Sequence, residues 1–394
     1  MNSSYLFNVR FLILLILTVL LAVSCITGES GRKIIPKDKE FTKINIDDQH
    51  QGCLFSEIIA DPELIRLETS DSVVIGKISE ILQAEEKNFI LEGDLNRVSV
   101  FDTGGKYLYS SGLTGRGPQE ILSINDIDID RGERLLLLLS TESQCIQSYD
   151  LDGRYKGTEK LGFQCFRFAH LQNGVNAFFI NYYDEQPYNL IINGPDREEI
   201  RLFEYPENIF PMHFYFTGGL KSTNHGTALY SDATSSRIYE ISDNGNFYLK
   251  YDIDLGPDQW PEEKRYQFTD YMGAIGSFKA DFLGSRYLEL DNLLYFDYMD
   301  GNRFTDAYYL FDAREVLIRG NNLTDDAFSV CLSAPAGHSE NGALIAIIDP
   351  VKLCEAKIAD QSLLDAYSID REELEMVKPV DNPLLFLYHI RKIK

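Results

Sequence analysis

Three carboxylates spaced two residues apart form the first pattern in the sequence that suggests chemistry. Asp126, Asp128 and Asp130 alternate with isoleucines. This spacing opens the calcium loop of EF-hands, but Arg131 stands where that loop requires glycine and Leu137 where it requires glutamate. The EF-hand interpretation therefore fails. In a strand, the alternation predicts a solvated row of Asp on one strand face or at the rim of a blade, and a looser cation site shared with neighbouring blades is the alternative.

Histidine is a second residue type that binds metals and moves protons. None of the 6 histidines belongs to an HExxH motif or an i, i+4 pair, and the chain has no GxSxG nucleophile elbow. A metal site assembled from distant segments stays open, with His170, His213 and His225 as its candidates. We assign no catalytic residue, no metal ligand and no cofactor from the sequence.

The glycine-rich segment 112–118 has neither a P-loop nor a dinucleotide-binding pattern. It is predicted to connect two sheets. If it were functional, Arg116 at its tip would contact an anionic group.

Two segments combine aromatic rings with carboxylates, 182–185 and 295–303. Rings that stack and acids that accept hydroxyl or amide protons suit sugars or peptides. The alternative is that the rings pack inside the fold and the acids lie outside. Trp260 lies beside Pro257 and Pro261 and is predicted to anchor an insertion.

The elements that must position these residues are predicted to be strands. A β-hairpin signal, an alternating strand followed by a glycine-containing turn and a second strand that opens on an aromatic residue, occurs three times, at 96–108, 144–155 and 237–247. Weaker copies occur at 188–195, 308–316 and 344–350. Helical periodicity is confined to 261–272 and 351–377.

The six hairpin signals recur at intervals of roughly 40 to 50 residues, apart from one longer interval that contains the segment 261–272. This period is typical of four-stranded propeller blades, which bury both faces only by stacking around an axis. We therefore predict an all-β, six-bladed β-propeller with a short helical insertion. The segment from Leu64 and the strand 383–391 are expected to complete one blade together. An open sandwich or two β domains is the rival architecture.

The N-terminal residues predict export and anchoring. The uncharged apolar run 11–23 follows Arg10 and is too short for the roughly 20 residues that span a bilayer, so 1–24 is predicted to be a signal peptide. Its end, Ala22 to Cys25, resembles the lipobox of bacterial lipoproteins, whose cysteine is acylated. We expect membrane lipid on Cys25, with ordinary cleavage near Ala22 as the alternative. Two acyl chains suffice for stable anchoring.

Residues 25–53 are polar and glycine-containing and are predicted to be a flexible stalk, which leaves 54–394 as the folded domain. The net charge of −24 disfavours nucleic acid as a partner, because phosphate binding depends on Lys and Arg. The cysteines left after Cys25 show no CxxC pair, so free thiols are expected and disulfides stay open; they are Cys53, Cys145, Cys165, Cys331 and Cys354.

Several segments resemble one known family. The run from Asn88 to Leu91, the hairpin 97–108 and the segment 112–120 are similar to the first blade of the six-bladed β-propeller lipoproteins of Bacteroidetes, which have NHL-like repeats. The ending 381–392 is similar to the final strand of that family. The resemblance covers most of the chain after about residue 54. It implies the fold and an outer-membrane lipoprotein that faces the periplasm or the cell surface, and it implies no catalytic residue.

The sequence therefore predicts a non-enzymatic binding or interaction module for a glycan, peptide or protein. The alternative is a propeller hydrolase or lyase with an active site at the mouth of its channel and a divalent cation as an optional cofactor. Three or more His, Asp or Glu side chains that converge at one mouth would favour the enzyme. The absence of a concave pocket would favour a scaffold.

Overall fold

Strands dominate the chain, as the alternating patterns predict. The computed structural model describes residues 40–112, 114–117, 119–182, 187–195, 197–206, 218–267, 273, 276–277, 279–326, 332–355, 364 and 371–391. Pro36–Lys394 forms one compact unit, and Met1–Ile35 is a separate unit that lies outside these residues. Every helix within the described ranges is too short or too polar to cross a membrane.

The strands follow one another with short connections. In chain order they are β1 (Thr42–Asn45), β2 (Cys53–Leu54), β3 (Ile59–Arg66), β4 (Ile78–Ala84), β5 (Lys87–Glu92), β6 (Arg97–Asp102), β7 (Tyr107–Ser111), β8 (Asp126–Asp130), β9 (Leu135–Ser140), β10 (Cys145–Asp150), β11 (Tyr155–Lys160), β12 (Arg167–His170), β13 (Asn176–Phe179), β14 (Tyr188–Gly194), β15 (Arg197–Glu204), β16 (Gly219–Ser222), β17 (Ala228–Ser231), β18 (Arg237–Ile241), β19 (Phe247–Asp254), β20 (Leu283–Glu289), β21 (Leu293–Asp300), β22 (Arg303–Leu310), β23 (Glu315–Ile318), β24 (Leu323–Thr324), β25 (Gly337–His338), β26 (Leu344–Ile348) and β27 (Leu384–Ile390). The described helices are short: α1 (Phe55–Ile58), α2 (Pro350–Glu355), α3 (Arg371–Glu375), and 3-10 turns at Gln172–Gly174 and Glu262–Lys264.

Consecutive strands pair in antiparallel meanders. The groups β4–β7, β8–β11, β12–β15, β16–β19 and β20–β23 each follow this order. A further group has the order β25, β26, β27 and β3, so a strand from the N-terminal part of the domain closes a sheet built by the C-terminal part. This confirms the predicted pairing of the two ends. Strand β25 also pairs in parallel with β4, which joins this group to β4–β7.

The three strongest hairpin signals are confirmed as the pairs β6 with β7, β10 with β11, and β18 with β19. Their turns require glycine. Gly105 and Gly153 have φ of 84° and 86°, a region that L-residues with a side chain rarely adopt. A Cβ on Gly105 would also lie 2.1 Å from the carbonyl oxygen of Arg66, the last residue of β3. This turn therefore packs directly against the closing sheet.

The helix predictions are only partly right. The segment 261–272 forms a single 3-10 turn at Glu262–Lys264 within the described residues. Side chains just after it turn inward instead of continuing a helix, because Arg265 and Tyr266 contact the buried carboxylate of Asp232. The segment 351–377 contains α2 and α3, and most residues between them lie outside the described ranges. Trp260 is buried in a cluster with Phe282, as its predicted anchoring role requires.

The predicted stalk extends too far along the chain. Strand β1 pairs in parallel with β19, and β2 pairs in parallel with β24. Ile44 and Ile46 are only 1% and 6% exposed, so the burial of alternate isoleucines holds this segment on the domain. Residues 25–39 lie outside the described ranges.

The first strands of the meanders converge on one axis. Strand β4 contacts β8, β8 contacts β12, β12 contacts β16, β16 contacts β20, and β25 pairs with β4. The result is an all-β, propeller-like fold. We call the space enclosed by these first strands the central channel.

Candidate functional site

Four charged side chains close the central channel, and we call them the plug: Glu80, Asp126, Arg167 and Lys221. Each comes from a different first strand. Arg167 Nη1 lies 2.6 Å from Asp126 Oδ1 and 3.5 Å from Glu80 Oε2. Lys221 Nζ lies 2.5 Å from Glu80 Oε1. Two cations thus face two carboxylates, and the strands of four sheets are tied together across the axis.

The pKa values of the two carboxylates of the plug are shifted in opposite directions. Burial raises the pKa of Asp126 to about 7, with Arg167 opposing this shift. Burial also acts on Glu80, but Lys221 and Arg167 together lower the pKa of Glu80 below its ordinary value. Glu80 is therefore the charged partner, and Asp126 exchanges its proton near neutral pH.

One end of the channel opens into a cavity of about 720 Å³, which we call the wide mouth. Its floor residues follow the plug residues along the first strands: Asp128 and Asp130 follow Asp126, His170 follows Arg167, and Ser222 follows Lys221. Its rim is formed by the turns that leave these strands. Those turns contribute Arg131, Glu133, Asn173, Thr223 and Asn224.

The floor of the wide mouth is held by hydrogen bonds across the axis. Asp128 Oδ2 accepts from the hydroxyl of Ser222 at 2.5 Å and from the backbone N–H of His170 at 2.7 Å. Burial raises the pKa of Asp128, and these hydrogen bonds oppose the shift. His170 Nε2 lies 3.2 Å from Asp130 Oδ2, and its Nδ1 lies 2.8 Å from Asn176 Oδ1. The floor is therefore polar, bonded to itself by hydrogen bonds and rich in oxygen acceptors.

His338 completes the floor from β25. Burial, together with the charge of Arg131, lowers the pKa of His338, so its ring is neutral at neutral pH. Its Nδ1 faces the carbonyl oxygen of Ser339 at 3.3 Å. Sequence reasoning missed this residue, because a two-residue strand carries no alternation to detect.

The opposite end of the channel has a cavity of about 230 Å³, the narrow mouth. Its lining residues precede the plug residues along the first strands: Asn125 precedes Asp126, and Phe166 precedes Arg167. Arg167 itself forms part of the lining, and 30% of its side chain is exposed. Asn181 and Ser285 add an amide and a hydroxyl.

A third concave surface, the aromatic cleft, lies beside β1 and has a volume of about 510 Å³. Tyr251 and Phe311 stack there, with ring centroids 6.3 Å apart and planes 7° apart. Lys43 and Arg314 also line it. Sequence reasoning does not predict this cleft, because β1 falls within the predicted stalk.

The prediction of a solvated row of Asp is wrong for two of its three members. Asp126 and Asp128 are 2% and 6% exposed, and both face the channel. Alternation predicts that they share a face of β8, but it does not tell whether that face meets solvent or the axis. Within the described residues, no three His, Cys, Asp or Glu side chains are grouped as metal ligands.

The histidine candidates separate in the structure. His170 lies at the wide mouth, whereas His225 is exposed and lies 3.5 Å from Asp291. His213 is outside the described residues. The glycine-rich segment connects β7 to β8, as predicted, and Arg116 is exposed there. Leu113 and Pro118 of this segment are outside the described residues.

The aromatic segments mostly pack in the interior. Tyr182 is 3% exposed, and Tyr183, Asp184 and Glu185 are outside the described residues. Tyr295 and Phe296 are fully buried, which agrees with packing and not with a sugar platform. Their neighbour Asp297 is also inside, where it binds Arg286 Nε at 2.9 Å, so the expectation that the acids lie outside fails for this residue.

The described cysteines carry free thiols. Cys145 and Cys165 are buried, Cys53 is half-buried in β2 and Cys354 is exposed in α2. Cys331 and the predicted lipidation residue Cys25 lie outside the described residues.

Fold and geometry together define an all-β, propeller-like protein with a plugged channel and a polar cavity at each end. The chain belongs to the family described as domain of unknown function DUF4934, whose model matches residues 41–389. No curated protein matches the chain in sequence.

Solved structures share the fold at low sequence identity. A protein from Bacteroides fragilis that is described as exported matches with a TM-score of 0.71 and 15% identity, over 90% of this chain and 100% of that one. A member of the DUF4221 family from Bacteroides vulgatus matches with a TM-score of 0.50 and 10% identity, over 85% of this chain and 98% of that one. A virginiamycin B lyase from Staphylococcus aureus reaches a TM-score of only 0.40 at 12% identity, over 73% of this chain and 80% of that one, which supports no inference.

Proposed function

We propose that this chain is a lipid-anchored, extracytoplasmic six-bladed β-propeller that binds a polar ligand at its wide mouth. The blades are the five meanders from β4 to β23 and the closing group of β25, β26, β27 and β3. The six hairpin signals that recur along the sequence also support six blades. Closing the last blade with strands from both ends of the domain removes its open edge.

The wide mouth carries the binding proposal. Its volume of about 720 Å³ falls within the roughly 300 to 1,000 Å³ of small-molecule sites. Carboxylates, amides, hydroxyls and histidines from several blades converge there, and the plug gives it a closed floor. Three carboxylates, Asp128, Asp130 and Glu133, face one guanidinium in this lining, which favours a neutral or cationic ligand over an anionic one. A glycan, a peptide or a protein loop satisfies these conditions.

The binding test uses the full-length protein on glycan and peptide arrays, followed by titration of each hit. Asp130→Asn and His170→Gln alter the wide mouth, and we expect each to weaken a bound ligand by about tenfold, the effect of one hydrogen bond of about 1.4 kcal/mol. Ser285→Ala at the narrow mouth is the matched control. Hits that respond only to Phe311→Ala would assign binding to the aromatic cleft instead. Silence on both arrays would favour a scaffold.

A hydrolase or lyase is the second candidate. Two observations favour it: five His, Asp and Glu side chains converge at the wide mouth, and His170 contacts Asp130. A histidine oriented by a carboxylate is the arrangement of a general base, and Asp128 and His338 lie beside the pair. Each array hit is therefore incubated with the protein and analysed by mass spectrometry. Products that disappear with His170→Gln at ligand concentrations high enough to saturate the variant would establish catalysis. Unchanged ligand would leave the binding module as the function.

Export and anchoring complete the proposal. The apolar run 11–23, the lipobox-like end at Cys25 and the fold shared with a Bacteroides fragilis protein described as exported support a lipoprotein of the outer membrane, facing the periplasm or the cell surface. Cys25→Ala should abolish labelling with an alkyne fatty acid and release the protein from the membrane fraction. Cys354→Ala, which removes an exposed thiol, is the control. Unchanged fractionation of Cys25→Ala would contradict the anchor.

A further inference from the structure

The narrow mouth has the features of a second binding site, separate from the wide mouth. Its volume of about 230 Å³ lies below the range of drug-sized ligands, so its occupant is small. Polar groups from several sheets line it: Arg167 from β12, Ser79 from β4 and Ser285 from β20. Among the described residues that line it, none is Asp or Glu. The lining therefore favours an anion.

Arg167 presents one unused edge. Its hydrogen bonds with described residues all use Nη1, which donates to Asp126, to the backbone oxygen of Asn125 and, at 3.5 Å, to Glu80. Nε and Nη2 have no partner among the described residues. These two groups form one side of the planar guanidinium, and their parallel N–H bonds match the two oxygens of a carboxylate.

Asn181 supplies an independent observation. Its side chain lines the narrow mouth and is only 1% exposed, yet its Oδ1 has no hydrogen-bond partner among the described residues. A buried acceptor without a partner is costly, and such groups are rare in native proteins. Since Asn181 lines a cavity, a ligand whose N–H or O–H group reaches this oxygen would satisfy it.

We propose that the narrow mouth binds a small carboxylic acid that also carries an N–H or O–H donor. The carboxylate pairs with the Nε and Nη2 edge of Arg167, and the donor bonds to the amide of Asn181. The class includes hydroxy acids and amino acids. This site is independent of the proposed function, since it adjoins the plug on the side opposite the wide mouth and shares no lining residue with the wide mouth.

Three probe molecules test the proposal on the full-length protein by isothermal titration: glycolate, which has both groups, acetate, which lacks the donor, and glycolamide, which lacks the carboxylate. We expect glycolate to bind about three- to tenfold more tightly than acetate, the effect of one net hydrogen bond. Glycolamide should show no saturable binding. Arg167→Lys keeps the charge of the plug but removes the two parallel N–H donors of the guanidinium. It should weaken the binding of glycolate and of acetate by the same factor.

Asn181→Gly tests the contact between the donor group of the ligand and the Asn181 amide. Asn181 has φ of 56°, which glycine adopts without strain, so the variant removes the amide and preserves the backbone. We expect this variant to bind glycolate only as tightly as it binds acetate. Its affinity for acetate should equal that of the wild type. Asn173→Gly is the matched control, because Asn173 has φ of 63° and lines the wide mouth. It should change neither titration.

Three results would overturn the proposal. The first is an absence of saturable glycolate binding to the wild type. The second is equal affinity for glycolate and acetate in the wild type. The third is a loss of glycolate binding in Asn173→Gly that matches the loss in Asn181→Gly.

Discussion

The wide and narrow mouths are built by the same first strands, yet they present different chemistry. At the wide mouth, the polar groups of the floor bond to one another, as Asp128 does with Ser222. At the narrow mouth, Arg167 and Asn181 keep unused bonding capacity within the described part of the chain. The plug explains the difference, because Asp126 and Glu80 occupy only one end of the Arg167 guanidinium. A shared scaffold therefore gives a pre-bonded surface on one side and unsatisfied groups on the other.

The largest effect is expected from removing Arg167, which belongs to both the plug and the narrow mouth. Arg167→Ala leaves Asp126 and Glu80 buried with Lys221 as the remaining cation of the plug. Breaking a buried ion pair costs about 3 kcal/mol or more, so we expect a loss of about 3 kcal/mol in the free energy of unfolding. Urea denaturation monitored by circular dichroism measures it.

The matched control is Arg134→Ala. Arg134 pairs with Glu85 on the surface, where the two side chains are 66% and 41% exposed, so removing it should leave the urea midpoint unchanged. If both variants lose equal stability, the plug is not the element that ties the sheets together.

A smaller effect should appear as a pH dependence centred on Asp126. Burial raises the pKa of Asp126 to about 7, above its ordinary value of 3.8, so the folded protein binds this proton more tightly than the unfolded chain. The stabilising contribution is complete below pH 3.8 and is lost as the pH rises through about 7. Asp126→Asn removes this contribution.

Unfolding free energies of the wild type and Asp126→Asn are compared at about pH 5 and about pH 8, on either side of that pKa. The wild type should lose stability relative to the variant as the pH rises. A constant difference would mean that Arg167 holds Asp126 ionised at both values. In that case the plug would have no net charge at any pH in this range.

The smallest effect compares one hydroxyl at each mouth. Ser222→Ala removes the 2.5 Å hydrogen bond to the buried carboxylate of Asp128, which should cost about 1.5 kcal/mol. Ser285→Ala removes a hydroxyl at the narrow mouth that bonds to no described side chain, so its effect should stay within about 0.5 kcal/mol. Thermal unfolding of both variants measures the two losses of stability. Similar shifts would show that the two mouths do not differ in internal bonding.

Local patterns predicted the strands and hairpins well, because the turn chemistry lies within a few residues. Gly105 and Gly153 mark turns that no other residue type forms as easily. The isoleucines at 44 and 46 carried a strand signal as well, since their spacing of two alternates with polar residues. The absence of a hairpin partner nearby hid it, because the partner of β1 is β19.

The two mouths were beyond sequence reasoning because closure of the ring assembles them. Arg167 lies 41 positions from Asp126 and 87 from Glu80, and Lys221 lies 141 positions from Glu80. Alternation placed Asp126 and Asp128 on one face of β8, but only the packing of neighbouring sheets turns that face toward the axis. His170 was named as a candidate from its residue type alone.

The course of the chain from β1 to β3 has a mechanical consequence. Strand β1 lies along β19, Gln49 bridges to Val316, and β2 lies along β24 before β3 enters the closing sheet. A pull on the chain ahead of Thr42 therefore loads these short ladders in succession, and each release lengthens the free chain by roughly 3.3 to 3.6 Å per residue. Under such a pull, these pairings would separate before force reaches the strands that form the channel.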